Sequence, residues 1–266
     1  MQRINSKDGT LIAFDKFGKG PALILVDGAI TMRSSPSKPI LCKLLEPYFT
    51  VYNYDRRGRG DSGDTYPYSV KREIEDIEAI VDLSGGTACL YGHSSGGALA
   101  LEAALELDSK IKKLAIYEVP YNDDKKDQPA WKEYLRVLGK ALSEGRKGDA
   151  VALFLKFLGA PVDRIEGMMH SPVWTAFEGL APTLAYDHII LLSEDLSIPG
   201  NKVHKIKIPS LIMSGNAGFP FMKETALTLS QIIPNAKLLI FKDQQHNLSP
   251  DVLAPALIEF FEGGGK

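Results

Sequence analysis

The sequence predicts an α/β protein in which helices cover both faces of a mainly parallel β-sheet. Apolar runs at Ala22–Val26 and Ile111–Tyr117 lack polar alternation, which is typical of strands that are buried on both faces. Segments with helical periodicity separate such runs, and this alternation indicates βαβ units. A chain of 266 residues is long enough for one large domain with an insertion.

The first part of the chain supplies most of the predicted sheet. Polar turns and short apolar runs before residue 26 predict an antiparallel hairpin that leads into a buried strand. Apolar residues recur at helical spacing over 70–82, with acids and bases between them, and predict an amphipathic helix packed on the sheet. The other predicted elements are a helix at 40–45, a strand at 49–54, a strand and helix around residues 87–101, strands at 208–213 and 236–241, and helices at 221–232 and 252–261.

Residues 121–202 show helical patterns without an intervening buried strand, and prolines punctuate them. They predict a helical cap inserted into a core formed by residues 1–120 and 203–266. The predicted cap helices lie at 131–142, 149–158 and 165–169. Apolar side chains of the cap are candidates to line a pocket, with ordinary core packing as the alternative: Met168, Met169, Trp174 and Phe177.

Composition excludes several classes of function. The formal charge is −2 and no long block of like charge occurs, which disfavours nucleic acid or an anionic membrane surface as a partner. No apolar segment is long enough for a signal peptide or a membrane span, so a cytoplasmic location is the default expectation. Two cysteines, Cys42 and Cys89, support neither a disulfide framework nor a zinc site. Oligomeric state is left open, with a homodimer among the alternatives.

Residues 55–63, Asp-Arg-Arg-Gly-Arg-Gly-Asp-Ser-Gly, allow two interpretations. An exposed basic or RGD-like patch could bind a partner. Alternating acids and bases with three glycines favour a tightly folded turn instead. At the other end of the chain, the Gly-Gly-Gly-Lys at 263–266 is typical of a frayed end.

The most informative stretch runs from Thr87 to Leu101, Thr-Ala-Cys-Leu-Tyr-Gly-His-Ser-Ser-Gly-Gly-Ala-Leu-Ala-Leu. An apolar run, a Gly-x-Ser-x-Gly turn and a run of helix formers predict a strand, a sharp turn and a helix. A serine at the tip of such a turn is exposed for nucleophilic attack, which makes Ser94 the candidate nucleophile. The peptide N–H of Ser95 and the helix dipole could then stabilise an oxyanion. An ordinary glycine-rich turn is the alternative.

Further candidates follow the predicted strands. Asp27 and Gly28 come directly after the first buried strand, and Glu118 follows Ile111–Tyr117. Function collects at the carboxyl ends of the strands in such sheets, which groups these residues with Ser94. Gly28 is a candidate second oxyanion donor, because glycine lets a loop N–H approach a ligand closely; a plain turn is the alternative.

Together, the serine turn, the loop at residues 55–63, the cap-sized insertion and the late histidine His246 resemble the α/β-hydrolase superfamily. The resemblance covers essentially the whole chain and implies an α/β-hydrolase fold with a Ser-His-acid triad and no metal or organic cofactor. The common acid of the superfamily would follow Gly215 in a Gly-x-x-Asp pattern. Here Gly218 stands at that position and carries no carboxylate.

Some α/β hydrolases place the acid one strand earlier, and that resemblance assigns the role to Glu118. Asp243 and Asp251 are its rivals because they lie close in sequence to His246. Four other histidines compete with His246 but lie next to the nucleophile or in the predicted cap and its exit: His93, His170, His188 and His204.

Several short motifs are similar to those of zearalenone-type lactone hydrolases: Asp27-Gly28, Ser94-Ser95-Gly96, Glu118 and Pro172-Val173-Trp174. This similarity implies acyl transfer on a small apolar ester or lactone. The candidate substrate contacts are Asp27 and Trp174, which lie in the matching motifs, and the predicted pocket residue Met168. Two alternatives stay open. One is a lyase or C–C bond hydrolase that uses the same serine and histidine, and the other is a slow-turnover ligand-binding protein. A dehalogenase or epoxide hydrolase is disfavoured because it needs a carboxylate where Ser94 stands.

Overall fold

The computed structural model of the chain describes residues 1–192 and 196–263. Its centre is an eight-stranded sheet with the order β1-β2-β4-β3-β5-β6-β7-β8. The strands are β1 (Gln2–Asn5), β2 (Leu11–Phe17), β3 (Ala22–Val26), β4 (Thr50–Tyr54), β5 (Ala88–His93), β6 (Ile111–Tyr117), β7 (Ser210–Gly215) and β8 (Ala236–Phe241). Strand β2 pairs antiparallel with both β1 and β4, and the pairs from β4 through β8 are all parallel.

The helices within the described residues are α1 (Ser37–Leu45), α2 (Val70–Leu83), α3 (Ser95–Leu107), α4 (Gln128–Ser143), α5 (Lys147–Phe157), α6 (Val162–Met169), α7 (Pro172–Leu180), α8 (Leu184–Leu192), α9 (Gly200–Val203), α10 (Pro220–Ile232) and α11 (Pro250–Glu262). The predicted fold class is confirmed. Residues 264–266 of the tail that the sequence predicts to be frayed lie outside the described residues.

The apolar runs form strands because both of their faces are covered. All five residues of β3 are buried, and two hydrophobic clusters pack on opposite faces of the sheet. One cluster contains α2 and α3, and the other contains α1 and α11. Cys42 and Cys89 are both buried and free, as expected for small hydrophobic residues.

A helical insertion separates β6 from β7. Helices α4 to α8 follow one another there, which is consistent with a cap. The predicted boundaries of this cap, residues 121 and 202, stay a prediction. The carboxyl ends of β3, β5, β6, β7 and β8 all meet at one edge of the sheet because these strands are parallel.

The turn at residues 55–63 is folded into the protein, as its composition predicts. The side chains of Arg56, Arg57 and Arg59 are no more than 1% exposed. Arg56 pairs with Glu73, and Arg57 pairs with Asp76. Both acids lie on α2. Since buried charges require partners, these ion pairs explain why Glu73 and Asp76 are buried on the face of α2 that meets the turn.

Candidate active site

The turn after β5 has the strained geometry of a nucleophile elbow. Ser94 has φ 55° and ψ −129°, which a residue with a side chain rarely adopts. The turn also needs glycines on both sides. A Cβ on Gly92 would lie 2.6 Å from the Cα of Gly97, and one on Gly96 would overlap the carbonyl oxygen of Val26. The glycines therefore let α3 pack directly against β5 and β3.

Gly28 lies directly beside the serine. A Cβ added to Gly28 would stand 3.0 Å from the Cβ of Ser94 and 3.6 Å from its Oγ. The Ser94 N–H donates to the carbonyl oxygen of Tyr117 at 3.0 Å, which ties the elbow to the end of β6. Among the described residues, no protein atom forms a hydrogen bond with the Ser94 hydroxyl, so this group is available to a ligand.

Glu118 and His246 form a charged or hydrogen-bonded pair at the same edge of the sheet. Oε2 of Glu118 lies 2.8 Å from Nδ1 of His246, and the carboxylate is 1% exposed. The other oxygen, Oε1, accepts the N–H of Gly215 at 2.9 Å and the hydroxyl of Ser214 at 3.2 Å. Glu118 has φ 48°, so a second strained residue aims its side chain here.

The loop that carries His246 is fixed by three consecutive carbonyl oxygens. The oxygen of Gln244 accepts the N–H of Ala217 at 2.9 Å, and that of Gln245 accepts the hydroxyl of Tyr117 at 2.6 Å. The oxygen of His246 lies 3.1 Å from Nε2 of His93. These bonds hold in place a loop that contains no helix or strand. The side chain of His246 remains 17% exposed.

Gly218, where the superfamily's common acid would stand, lies beside Glu118. A Cβ on Gly218 would be 3.7 Å from Oε1 of Glu118 and 3.6 Å from the backbone nitrogen of His246. These distances are ordinary van der Waals contacts, so a side chain fits there. Gly218 follows β7 and Glu118 follows β6, and the two residues therefore lie close together beside His246.

His93 precedes the elbow serine and packs on His246, with 4.7 Å between the ring centroids. Since Nε2 of His93 faces a carbonyl oxygen, this nitrogen carries the proton and donates. Burial lowers the pKa of His93 well below its ordinary value, and the nearby His246 and Lys38 act in the same direction. His93 is therefore neutral at neutral pH.

We expect His93 to make the fold less stable as the pH falls. The unfolded chain binds a proton at this residue near pH 6.5 and the folded chain does not, so the free energy of unfolding decreases below about pH 6.5. For one proton the slope is at most about 1.4 kcal/mol per pH unit. His93→Gln keeps an N–H donor but cannot titrate, so its stability should depend less on pH.

Urea unfolding of both proteins between about pH 7 and about pH 5 measures this difference. The other titrating groups contribute equally to both proteins. One of them is Asp76, because its burial raises its pKa to about 6 against the opposing effect of Arg57. Parallel pH dependences of the two unfolding free energies would contradict the prediction.

Comparison with known proteins decides the family. The model of the Alpha/beta hydrolase family matches residues 39–244, which is most of the chain. The chain belongs to the alpha/beta hydrolase family.

Solved structures with this fold include relatives at two levels of similarity. An alpha/beta hydrolase from Sphaerobacter thermophilus is 43% identical, with a TM-score of 0.87 over 98% of this chain and 100% of that one. The enol-lactonase from Burkholderia xenovorans is 21% identical, with a TM-score of 0.73 over 98% of this chain and 100% of that one. The second likeness shows the fold alone.

Curated relatives of this alpha/beta hydrolase are more distant. The pimeloyl-[acyl-carrier protein] methyl ester esterase of Nitrosospira multiformis is 24% identical over 245 residues, 87% of this chain and 90% of that protein. The proline iminopeptidase of Chitinophaga pinensis is 34% identical over 71 residues, and the match spans only 24% of either protein.

The rival histidines of this alpha/beta hydrolase have other surroundings. His170 and His204 are exposed, and His204 contacts the carbonyl oxygen of Gly200. His188 is buried on α8, where it pairs with the hydroxyl of Tyr134 at 3.2 Å. The rival acids Asp243 and Asp251 are both exposed. The catalytic roles of Ser94, Glu118 and His246 stay predictions, and the three residues lie at one edge of the sheet.

The candidate substrate contacts are buried to different degrees. Asp27 is 2% exposed and forms an ion pair with Lys38 of α1. Trp174 of α7 is 7% exposed and its indole nitrogen packs on α5 at Gly148. Met168 of α6 is half-buried. Their assignment to the substrate site stays a prediction.

Two findings describe the remaining surface and interior. In residues 1–192 and 196–263, no cluster of three or more histidine, cysteine, aspartate or glutamate side chains is arranged to bind a metal ion. The same described ranges contain no helix with the length and apolarity needed to cross a bilayer.

Sequence reasoning missed one functional candidate, Asp187 of α8. This buried carboxylate accepts hydrogen bonds from Ser95, Arg56 and Arg59. The signal that could have found it is the excess of arginine in a turn that must fold inward, because each buried guanidinium requires an acid. The sequence does not say which acid, since 131 positions separate Arg56 from its partner.

Proposed function

We propose that this alpha/beta hydrolase is a serine hydrolase that cleaves a carboxylic ester or lactone through an acyl-enzyme. The observation that carries the proposal is the 2.8 Å contact between Glu118 Oε2 and His246 Nδ1 beside the strained Ser94 elbow. A nucleophile, a base and a group that orients the base are the parts that such chemistry needs. The resemblance to lactone hydrolases and the esterase among the relatives support the same class.

In this mechanism His246 acts first as a base and then as an acid. Its Nε2 takes the proton of Ser94 as Oγ attacks the carbonyl carbon, and Glu118 stabilises the imidazolium through Nδ1. The N–H groups of Gly28 and Ser95 stabilise the oxyanion. The tetrahedral intermediate collapses, the alkoxide leaves with the proton from His246, and an acyl-enzyme remains.

Water completes the cycle by the same route. His246 takes a proton from water as the hydroxide attacks the acyl carbon, and the Ser94–acyl bond breaks with return of the proton to Oγ. A lactone yields one hydroxy acid because its alcohol and acyl parts remain connected. No metal or organic cofactor takes part in these steps.

The proposed substrate is a small or medium apolar ester or lactone. Trp174 and Met168 belong to the helical insertion, where apolar side chains would contact the substrate body. Asp27, one residue before Gly28, would contact the substrate near the reacting carbonyl. We expect the insertion to select the acyl group, since specificity depends on the shape of such a pocket.

Hydrolysis of p-nitrophenyl acetate, butyrate and octanoate, with a macrolactone included, tests the proposal. We expect release of acid and alcohol from the esters and a ring-opened product heavier by one water from the lactone. Product identification by mass spectrometry separates the alternatives. Release of an aldehyde or ketone without acid would indicate a lyase, and the absence of any turnover would contradict the hydrolase.

A further inference from the structure

The carboxylate of Asp187, in the helical insertion, contacts the elbow. Asp187 lies on α8 and is 2% exposed. Its Oδ1 accepts the hydroxyl of Ser95 at 2.7 Å and Nη1 of Arg56 at 2.7 Å. Nη2 of Arg59 donates to Oδ1 at 2.8 Å and to Oδ2 at 2.9 Å. The residue that follows the nucleophile is thus linked to two arginines through the insertion.

The same two arginines hold the other side of the oxyanion site. Nη1 of Arg56 donates to the carbonyl oxygen of Asp27 at 3.0 Å, and Nη1 of Arg59 donates to that of Gly28 at 2.8 Å. The carbonyl of Asp27 and the N–H of Gly28 belong to one planar trans peptide, so they point in opposite directions. Fixing the direction of the Asp27 carbonyl therefore fixes the direction of the Gly28 N–H.

Charge balance keeps this cluster ionised in the interior. Burial alone would raise the pKa of Asp187, but Arg59 and Arg56 outweigh it and lower the pKa below its ordinary value. Glu73 neutralises Arg56 with two bonds of 2.6 Å. Two guanidinium groups and two carboxylates therefore compensate one another, which buried charges require.

We propose that Asp187 is a positioning residue that aligns both oxyanion donors with the insertion. It holds Ser95 through the serine hydroxyl, and it holds the peptide of Gly28 through Arg56 and Arg59. The inference rests on the proposed function. Because oxyanion donors bind the transition state more strongly than the ground state, losing the alignment should lower kcat and leave KM nearly unchanged.

Two variants of different severity test this role. Asp187→Asn keeps the side-chain volume but loses the charge, and we expect kcat to fall by about 10²-fold with KM changed by less than about threefold. Ser95→Ala removes only the bond between the elbow and the insertion, and we expect about a tenfold fall in kcat. Asp64→Asn is the matched control, because Asp64 binds the hydroxyl of Tyr186, the residue before Asp187, at 2.6 Å.

A second readout separates positioning from loss of folded protein. A trifluoromethyl ketone forms a hemiketal oxyanion on the nucleophilic serine, so its inhibition constant should weaken in parallel with the fall in kcat. Loss of folded protein lowers the number of sites that a fluorophosphonate titrates but leaves that inhibition constant unchanged. Rates are therefore expressed per titrated site. If Asp187→Asn gives no folded protein, Ser95→Ala decides by the same two readouts.

Failure of this inference is distinct from failure of the proposed function. If the wild type is active and Asp187→Asn has the same kcat and inhibition constant, the positioning role alone is overturned. The same result in Ser95→Ala overturns it where Asp187→Asn gives no folded protein. A wild type that neither hydrolyses esters or lactones nor reacts with a fluorophosphonate at Ser94 overturns the proposed function and the positioning role with it.

Discussion

Replacing Ser94 with alanine is expected to lower the kcat of ester hydrolysis by about 10⁶-fold, to a residual rate that the oxyanion donors and substrate binding still support. The substitution removes the oxygen that forms the acyl-enzyme, and no other group can take its place in that step. The folded structure should tolerate alanine, because the hydroxyl forms no hydrogen bond within the described residues. Initial rates with p-nitrophenyl butyrate measure the effect.

The control for this variant is Ser109→Ala, which changes an exposed serine just beyond the other end of α3. It should hydrolyse the ester at the wild-type rate. Thermal unfolding of both variants near the wild-type temperature would show that the loss is chemical. Substantial turnover by Ser94→Ala would mean that a different nucleophile or a direct attack by water operates.

Replacing Glu118 with glutamine is expected to lower kcat by about 10³- to 10⁴-fold. The carboxylate faces donors on both of its oxygens, from Gly215 on one side and His246 on the other. Glutamine has one acceptor oxygen, so its NH₂ group must face either the Gly215 N–H or the imidazole. It also cannot stabilise the imidazolium by charge. The pH profile and kcat of both enzymes measure this loss.

The position of Gly218 offers a sharper test of the same acid. Because a Cβ there would lie 3.7 Å from Oε1 of Glu118, an aspartate at 218 can bring a carboxylate to the vicinity of the imidazole. We expect Glu118→Gln/Gly218→Asp to recover part of the activity that Glu118→Gln loses. Asp243→Asn and Asp251→Asn should keep the wild-type rate. If Glu118→Gln is active and either Asp243→Asn or Asp251→Asn is inactive, the acid is the aspartate changed in the inactive variant.

The sequence predicted those parts of the fold and site that depend on local pattern. The run Ala22–Val26 is apolar because its strand is covered on both faces, and the structure has a strand with the same bounds. The glycines around Ser94 predict a tight turn between a strand and a helix, and the dihedral angles agree. Parallel strands bring their carboxyl ends together, so the sequence alone could place Ser94 and Glu118 at the same edge of the sheet.

Long-range polar contacts could not be predicted in the same way. The helical pattern over 70–82 identifies its apolar face, but it does not show that Glu73 and Asp76 are buried as partners of arginines. These pairs depend on how the turn at residues 55–63 folds against α2. Asp187 is more remote still, since it approaches Ser95 only when the insertion packs on the core. Trp174 illustrates a further limit, because its spacing in a helix does not say which neighbour it packs against.

The most direct test of the central claim, that Ser94 is a nucleophile activated by His246 and Glu118, is fluorophosphonate labelling followed by peptide mapping. We expect one phosphonyl group per chain on Ser94 in the wild type, slower labelling at the same residue in Glu118→Gln, and none in Ser94→Ala. Labelling of a different residue, or an unlabelled Ser94 in an enzyme that hydrolyses esters, would contradict the claim.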